Sequence, residues 1–517
     1  MNRPDGAATG ETLDGLLRDA LASQVYDVAR ETPLDLAPRL SARVGRQIFF
    51  KREDLQRTFS FKVRGAYHRM VRFTSDERGR GVVAASAGNH AQGVALAAGH
   101  LGIRALIVMP RTTPAIKVDA VRALGAEVLL DGDTFADAAA RARAEAQAGG
   151  AVLVHPFDDL DVIAGQATVG IEIIRQRVGP IDAVYVPVGG GGLVAGIGAV
   201  CNRVLPGVRV IGVEPMDADG MSRSMAAGRV VAVDQVGMFA DGVAVREVGQ
   251  HTLAIALATV DRIVRVDNDE ICAAMKDVFE DTRAIVEPAG ALAVAAIKRD
   301  IAAGLTGPGG QVAVLTGANV DFDRLRFVAE RAEFGEAREA IFGVAVPERP
   351  GAFREFCAAL DGRVITEFNY RLNQRDDAHI FVGLRVSSRA DAAEAARQLR
   401  ARGYDTTDLS ENELAKLHVR HMVGGRSTHV SNERVCRFAF PDRPSALSRF
   451  LDTLGERWNI SLFHYRNHGA DFGRVVAGFE VPERDMPSFR AFLDALGHRY
   501  EFEDGNPAYR LFLASSD

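Results

Sequence analysis

Between residues 47 and 330 the chain alternates short apolar, β-rich runs with longer stretches whose apolar positions return at helical spacing. The runs are Val82-Val83-Ala84-Ala85, Ala105-Leu106-Ile107-Val108, Val152-Leu153-Val154, Ala183-Val184-Tyr185-Val186 and Val210-Ile211-Gly212-Val213, with alanine-rich helical stretches at 134–148 and 161–177. Such alternation predicts an α/β region of largely parallel sheets covered by helices. In an open sheet of that kind a ligand lies outside the carboxyl ends of the strands, where the glycine clusters at 88–93 and 189–192 are expected.

After Glu333 the rhythm changes to an internal repeat with an offset of about 95 residues. Val346-Pro347-Glu348-Arg349-Pro350-Gly351-Ala352-Phe353 matches Phe440-Pro441-Asp442-Arg443-Pro444-Ser445-Ala446-Leu447, and Glu367-Phe368-Asn369-Tyr370-Arg371 matches Leu462-Phe463-His464-Tyr465-Arg466. Each copy reads as strand, proline-bearing turn, helix, strand, strand and helix, the order of a ferredoxin-like α+β module. The expected domains are 1–333, 334–424 and 425–517, with Val423-Gly424-Gly425-Arg426-Ser427-Thr428 as the linker between copies.

Composition narrows the class. A chain of 517 residues with a quarter of its residues charged and 51 glycines is globular and too long for one core. A net charge of −6 without a basic run argues against nucleic acid or an anionic membrane as partner. Cys201, Cys272, Cys357 and Cys436 are widely separated and form no C-x-x-C pair, so neither a disulfide framework nor a zinc cluster is implied. With no apolar stretch long enough for a membrane span and no secretion signal or transit peptide, the expectation is a cytoplasmic protein.

Four motifs carry candidate chemistry. In Phe59-Ser60-Phe61-Lys62-Val63-Arg64-Gly65-Ala66 a lysine sits among aromatic residues ahead of a helix-like run, a setting that favours the neutral, nucleophilic amine. Gly189-Gly190-Gly191-Gly192-Leu193 follows a strand-like run, so backbone N–H groups at a helix start could converge on a phosphate; a glycine-rich turn without a ligand is the alternative. Asn89, in Ser86-Ala87-Gly88-Asn89-His90, reads either as a helix N-cap or as an amide reaching a cofactor hydroxyl. Thr316, in Thr316-Gly317-Ala318-Asn319, either closes a turn or partners a ring nitrogen. Together they suggest an aldehyde cofactor held by a lysine, a phosphate cradle and a ring-nitrogen partner.

In these four motifs, and in Gly212-Val213-Glu214-Pro215 and Glu287-Pro288-Ala289-Gly290-Ala291, the chain resembles the biosynthetic threonine deaminases (threonine ammonia-lyases) of the tryptophan-synthase-β-like group of pyridoxal-phosphate enzymes, over almost its whole length. The resemblance implies a two-subdomain, fold type II catalytic region followed by two ACT-like regulatory modules. It implies that Lys62 carries the pyridoxal 5'-phosphate aldehyde, that Phe61 packs on the ring, and that Asn89 bonds its phenolic oxygen. Gly189, Gly190, Gly191, Gly192 and Leu193 would hold the phosphate, Thr316 the ring nitrogen, and the loop Ser86, Ala87, Gly88, Asn89 and His90 the substrate carboxylate. It further implies elimination of water and ammonia from L-threonine, or L-serine, to a 2-oxo acid, inhibition by isoleucine opposed by valine, and a homotetramer. Tyr370 and Tyr465 recur at equivalent places and are candidates either for effector binding or for packing of a duplicated fold. Glu214 and Asp219 stand where some relatives hold a cation, but Gly220 occupies a ligand position, so no metal site is expected. The rival readings are a serine/threonine dehydratase or racemase of the same group, and a non-enzymatic amino-acid sensor on a degenerate scaffold.

Overall fold

The computed structural model describes residues 6–322, 324–336, 338–371, 377–417, 419–422, 427, 430–441, 446–454, 457–466, 472–497, 500–506, 509 and 513. Its two compact units divide between Gly335 and Glu336. The first contains ten strands: β1 (Leu34–Leu36), β2 (Ile48–Arg52), β3 (Val82–Ala85), β4 (Ala105–Met109), β5 (Glu127–Leu130), β6 (Val152–Leu153), β7 (Ile181–Pro187), β8 (Arg209–Pro215), β9 (Arg262–Val266) and β10 (Gly310–Leu315). They form a six-stranded sheet in the order β1-β2-β10-β7-β8-β9 and a four-stranded sheet in the order β5-β4-β3-β6. Every pairing is parallel except β1 with β2.

Residues adjacent in sequence leave the larger sheet on opposite faces, as the pleat requires. Phe50, Tyr185 and Ala313 face the cluster that includes the helix Pro288–Ala302, while Phe49, Val184 and Val312 face the cluster that includes Leu193, Val194 and Ile197 of the helix Gly192–Val204. The four-stranded sheet has its own core around Val82, Ala84, Ile107 and Met109. Because the strands run parallel, β3, β7 and β10 end at Ala85, Pro187 and Leu315 and release Ser86, Gly189 and Thr316 within a few residues, which is how three distant motifs come to be loops of one kind.

The helix Lys62–Val71 is held from below. A Cβ on Gly65 would lie 2.7 Å from the Val162 carbonyl oxygen, and one on Gly165 2.7 Å from Gly65 Cα, so the two glycines permit a close crossing with the helix Leu160–Gln176. Beside this crossing lies an ionic cluster of wholly buried side chains. Arg64 bonds Glu53 (2.8 Å) and Glu172 (2.5 Å), and Lys51 bonds Glu172 (2.5 Å) and the Thr32 carbonyl. Two cations meet two anions, so no buried charge is left uncompensated. Loss of one partner would leave the other stranded beside the first turn that carries Lys62.

The second unit is a single antiparallel sheet built from β11 (Glu339–Pro347), β12 (Ile365–Arg371), β13 (Asp377–Arg385), β14 (Thr406–Asp408), β15 (Glu433–Pro441), β16 (Asn459–Arg466), β17 (Phe472–Glu480) and β18 (Tyr500–Phe502). Their order, β14-β11-β13-β12-β16-β17-β15-β18, is a palindrome of the two copies. Each copy is β-α-β-β-α-β, with the helices Ala352–Ala359 and Arg389–Ala401 in the first and Ala446–Leu454 and Met486–Ala495 in the second. The register at the join pairs Phe368 with Tyr465 and Tyr370 with Phe463. Each residue meets the repeat-equivalent of the other's partner, which is what a two-fold relation between copies requires. Pairing β12 with β16 removes the open edge that each module would have alone. Of the expected linker, residues 423–426 and 428 lie outside the described residues, as do residues 442–445 of the second proline-bearing turn.

Candidate active site

Lys62 is the first residue of its helix, and that start is clamped to the turn after β10. Phe61 N–H donates to the Thr316 carbonyl (3.3 Å), Ala318 N–H donates to the Phe59 carbonyl (2.9 Å), and Ser60 bridges Gly317. Phe59 adopts a left-handed φ of 53°, a backbone state that costs a bulky residue energy and is held by these bonds. The Lys62 ammonium donates to the Pro156 carbonyl (3.1 Å) and lies 5.2 Å from the centre of the Phe61 ring. Burial pushes its pKa down to about 8, while the Glu287 carboxylate pulls the other way. The amine is thereby available as a base or nucleophile near neutral pH.

The glycine loop leaves β7 and enters the helix Gly192–Val204 with Gly191 at a φ of 96°. A Cβ on Gly189 would lie 3.0 Å from Val243 Cα, one on Gly191 would lie 2.5 Å from the Met221 methyl, and one on Gly190 would overlap the Phe157 ring. No side chain can be placed here, and the backbone is stripped for approach by something else. The Gly190 carbonyl is occupied, accepting from the Thr252 hydroxyl (2.7 Å) and Gly249 N–H (3.2 Å). The amides of Gly189, Gly190, Gly191, Gly192, Leu193 and Val194, by contrast, donate to no acceptor among the described residues. Six successive unpaired donors at the positive end of a thirteen-residue helix form an anion cradle.

The loop after β3 is similar on a smaller scale. Ser86 N–H bonds the Val108 carbonyl and Gly88 N–H bonds Ser86 Oγ, whereas the amides of Ala87, Asn89 and His90 have no acceptor among the described residues. His90 is buried and bonds the Val154 carbonyl through Nε2 (3.0 Å); burial pushes its pKa down to about 3, so the ring is neutral. Gly88, not Asn89, is the N-cap, and Asn89 opens the helix Asn89–Leu101. The capping alternative for Asn89 is therefore not realised. Its side chain turns instead to Glu287 and Asn319: Nδ2 donates to Glu287 Oε1 (2.8 Å), and Oδ1 accepts from Asn319 Nδ2 (2.6 Å). Thr316 is buried at the end of β10, with its carbonyl engaged by Phe61 and its hydroxyl without a hydrogen bond among the described residues.

The structure thus assembles Phe61, Lys62, Asn89 and Thr316 with three residues that the sequence left unassigned. Glu287 and Asn319 sat inside strings read as family-like, and Phe157 in a segment with no motif. The local signal was Pro288, an ordinary first helical residue, which makes Glu287 an N-cap by position and says nothing of where its side chain goes. His155 shapes the Phe157 loop by accepting from the amides of Phe157 and Asp158, and Asp158 in turn caps the helix Gln250–Thr259. Glu214 accepts from Met221 and Ser222 N–H (2.7 and 2.9 Å), and Asp219 pairs with Arg223 and Arg265. These acids serve the start of the helix Gly220–Ala227.

In the second unit Tyr370 is buried, with its ring against Phe353 and its hydroxyl donating to Glu348, which also accepts from Asn459 of the other copy. Tyr465 is half-buried against the shared core. Both rings lie against the shared core, and Tyr370 makes a polar link across the two copies through Glu348.

Residues 25–317 match the family of pyridoxal-phosphate dependent enzymes, and residues 330–419 and 424–513 match in turn the C-terminal regulatory domain of threonine dehydratase. The chain is 51% identical over 503 residues to the L-threonine dehydratase biosynthetic IlvA of Burkholderia multivorans, covering 96% of this chain and 99% of the relative. It is 49% identical to the protein of the same name from Escherichia coli, covering 96% and 97%. Among solved structures, the processed form of threonine deaminase isoform 2 from Solanum lycopersicum aligns with a TM-score of 0.62 at 48% identity, over 63% of this chain and 90% of that one.

Proposed function

Because the chain belongs to the pyridoxal-phosphate-dependent threonine dehydratase family, we propose that it converts L-threonine to 2-oxobutanoate and ammonia, the committed step toward isoleucine, under inhibition by isoleucine. The observation that carries the reading is a lysine of depressed pKa together with a glycine loop in which six successive amides have no acceptor among the described residues. The donors present fit the cofactor: an anion for the cradle, an aldehyde for the amine. Bound there, pyridoxal phosphate supplies the electron sink that makes an amino acid's Cα–H acidic and its β-substituent expellable.

The remaining roles fall to this chain's own residues. Gly189 to Leu193 would hold the phosphate, Phe61 would pack on the ring, and the remaining Asn89 N–H would bond the ring hydroxyl. Thr316 would offer a hydroxyl to the ring nitrogen, and a hydroxyl, unlike a carboxylate, would not hold that nitrogen protonated. The amides of Ala87, Asn89 and His90 fix the substrate carboxylate so that the Cα proton faces Lys62. The Lys62 amine would be the base for that proton; an amine with a pKa near 8 is matched to the task. L-serine, one methyl smaller, is a second substrate.

Isoleucine binds the duplicated regulatory unit and valine opposes it, with Tyr370 and Tyr465 as the candidate contacts and the enzyme a cytoplasmic homotetramer. A coupling of about 1–3 kcal/mol between effector and active site is typical of such control. The test follows 2-oxobutanoate from L-threonine with added pyridoxal phosphate, with and without isoleucine and valine. Turnover suppressed by isoleucine and restored by valine is expected. No turnover on threonine would overturn the catalytic reading, and turnover indifferent to isoleucine would overturn the regulatory one.

A further inference from the structure

We propose that Glu287 is a positioning residue of this site, whose ionised carboxylate fixes the orientation of the Asn89 amide and acts as counter-charge to the Lys62 ammonium. The proposal rests on the reading of Lys62 as the cofactor-bearing lysine.

The first ground is where the side chain goes. Glu287 is the N-cap of the helix Pro288–Ala302, yet its side chain caps nothing in that helix. It turns away and accepts from Asn89 Nδ2 through Oε1 (2.8 Å) and from Asn319 N–H through Oε2 (3.2 Å). The backbone is anchored separately, with Glu287 N–H donating to the Gly317 carbonyl (3.0 Å).

The second ground is space. Gly242 and Gly317 flank the carboxylate: a Cβ on either would come within 3.0 and 2.7 Å of Oε1. Two glycines, from different loops, leave room for a group that is only 3% exposed.

The third ground is the logic of the amide. Asn89 Oδ1 accepts from Asn319 Nδ2, while Asn89 Nδ2 donates to Glu287. Asn319 Nδ2 also donates to the Thr58 carbonyl. A flipped Asn89 would set donor against donor at Asn319 and oxygen against oxygen at Glu287, so only one orientation suits an ionised Glu287. That orientation leaves one N–H of Asn89 uncommitted. A protonated Glu287 could donate to a flipped Asn89 and would no longer enforce the choice. Burial raises the Glu287 pKa to about 7, with Asp241 adding to the rise and Lys117 and the bonds from Asn89 and Asn319 opposing it. The charged groups facing it are Lys62, Asp241 and Lys117; the last two are paired at 2.7 Å, and Arg324 also reaches Asp241.

The experiment measures the rate at which Lys62 of the full-length apoprotein reacts with trinitrobenzenesulfonate as a function of pH, located by mass spectrometry. In the native protein the profile should show two inflections, the lower near neutral pH where Glu287 ionises and begins to hold the amine protonated. In Glu287→Gln the lower inflection should vanish and Lys62 should react about two- to fourfold faster at pH 7.5, fourfold being the ceiling for an amine of pKa about 8. Glu287→Asp, which keeps the charge, should restore the slower rate in part. In the holoenzyme Glu287→Gln should lower kcat for L-threonine about tenfold or more with KM changed less than about threefold. Identical Lys62 profiles in native protein and variant, or a kcat within about twofold of native, would overturn the proposal. Should the Gln variant fail to fold, the native profile decides, and a single inflection overturns it. Failure of native holoenzyme to turn over threonine would strike the reading of function while leaving the Lys62 profile to judge Glu287.

Discussion

At the carboxyl edge of the catalytic unit's sheets six successive amides, from Gly189 to Val194, have no acceptor among the described residues, whereas in the regulatory unit the central strands are paired on both sides, β12 with β13 and β16, and β16 with β12 and β17. Unpaired donors are costly when buried and ordinarily rare, so their concentration in one loop marks where a ligand belongs. In the regulatory unit the duplicated modules pair with one another at the join, and no such run of unpaired amides stands out among the described residues. What distinguishes its two halves is instead chemical. The backbone obeys a two-fold relation, but Tyr370 is buried while the equivalent Tyr465 is half-buried. Asn459, which reaches across to Glu348, stands at the repeat position held by Val364 in the first copy. A symmetric fold with asymmetric polar contacts need not offer two equal binding sites.

Substitutions can break this contrast at either end. The largest effect belongs to Lys62→Ala, which should reduce 2-oxobutanoate formation by a factor of about ten thousand or more while the cofactor still binds, now removable by dialysis, because the cradle is intact. Next is Gly190→Ala, whose methyl would overlap the Phe157 ring. Cofactor affinity, read by fluorescence titration, should fall about a hundredfold, equivalent to about 2.7 kcal/mol.

A smaller effect concerns stability of the apoprotein. Burial lowers the Lys62 pKa from 10.5 to about 8, so the folded state carries a penalty that is complete below pH 8 and disappears as pH rises toward 10.5. Lys62→Met should therefore be more stable than the native apoprotein at pH 7 by about 1–3 kcal/mol in urea unfolding, with the gain vanishing at high pH. The smallest effect is Tyr370→Phe, which strands Glu348 of one partner and should cost about 1 kcal/mol in the regulatory unit. Isoleucine inhibition curves should shift several-fold for Tyr370→Phe, less for Tyr465→Phe, and basal kcat should hold in both.

Much of the catalytic unit was legible because its motifs follow strands in a parallel sheet, where the chain's direction alone puts each loop on the ligand side. Gly189 to Gly192 could be read as a cradle since glycine leaves few other reasons for such a run. Glu287 could not be read in its present position: the local sequence offers an N-cap, and only tertiary contact with Asn89 and Asn319 draws the side chain elsewhere. Phe157 escaped for a related reason, as it fills the volume over Gly190 from a loop about 30 residues upstream in sequence, and no spacing rule connects them. The repeat was legible from residue identities, but its palindromic strand order was not, because joining at β12 and β16 is decided by which edge strands are left exposed. Tyr370 and Tyr465 look alike in sequence and differ only once their neighbours are in place.

The central claim, that Lys62 and the glycine cradle bind one aldehyde phosphate between them, is tested most directly by borohydride reduction of the full-length protein loaded with pyridoxal phosphate, followed by peptide mass spectrometry. The account predicts a single pyridoxyl-phosphate adduct on the peptide containing Lys62, lost in Lys62→Ala and weakened in Gly190→Ala. An adduct on another lysine, or none after loading, would contradict it.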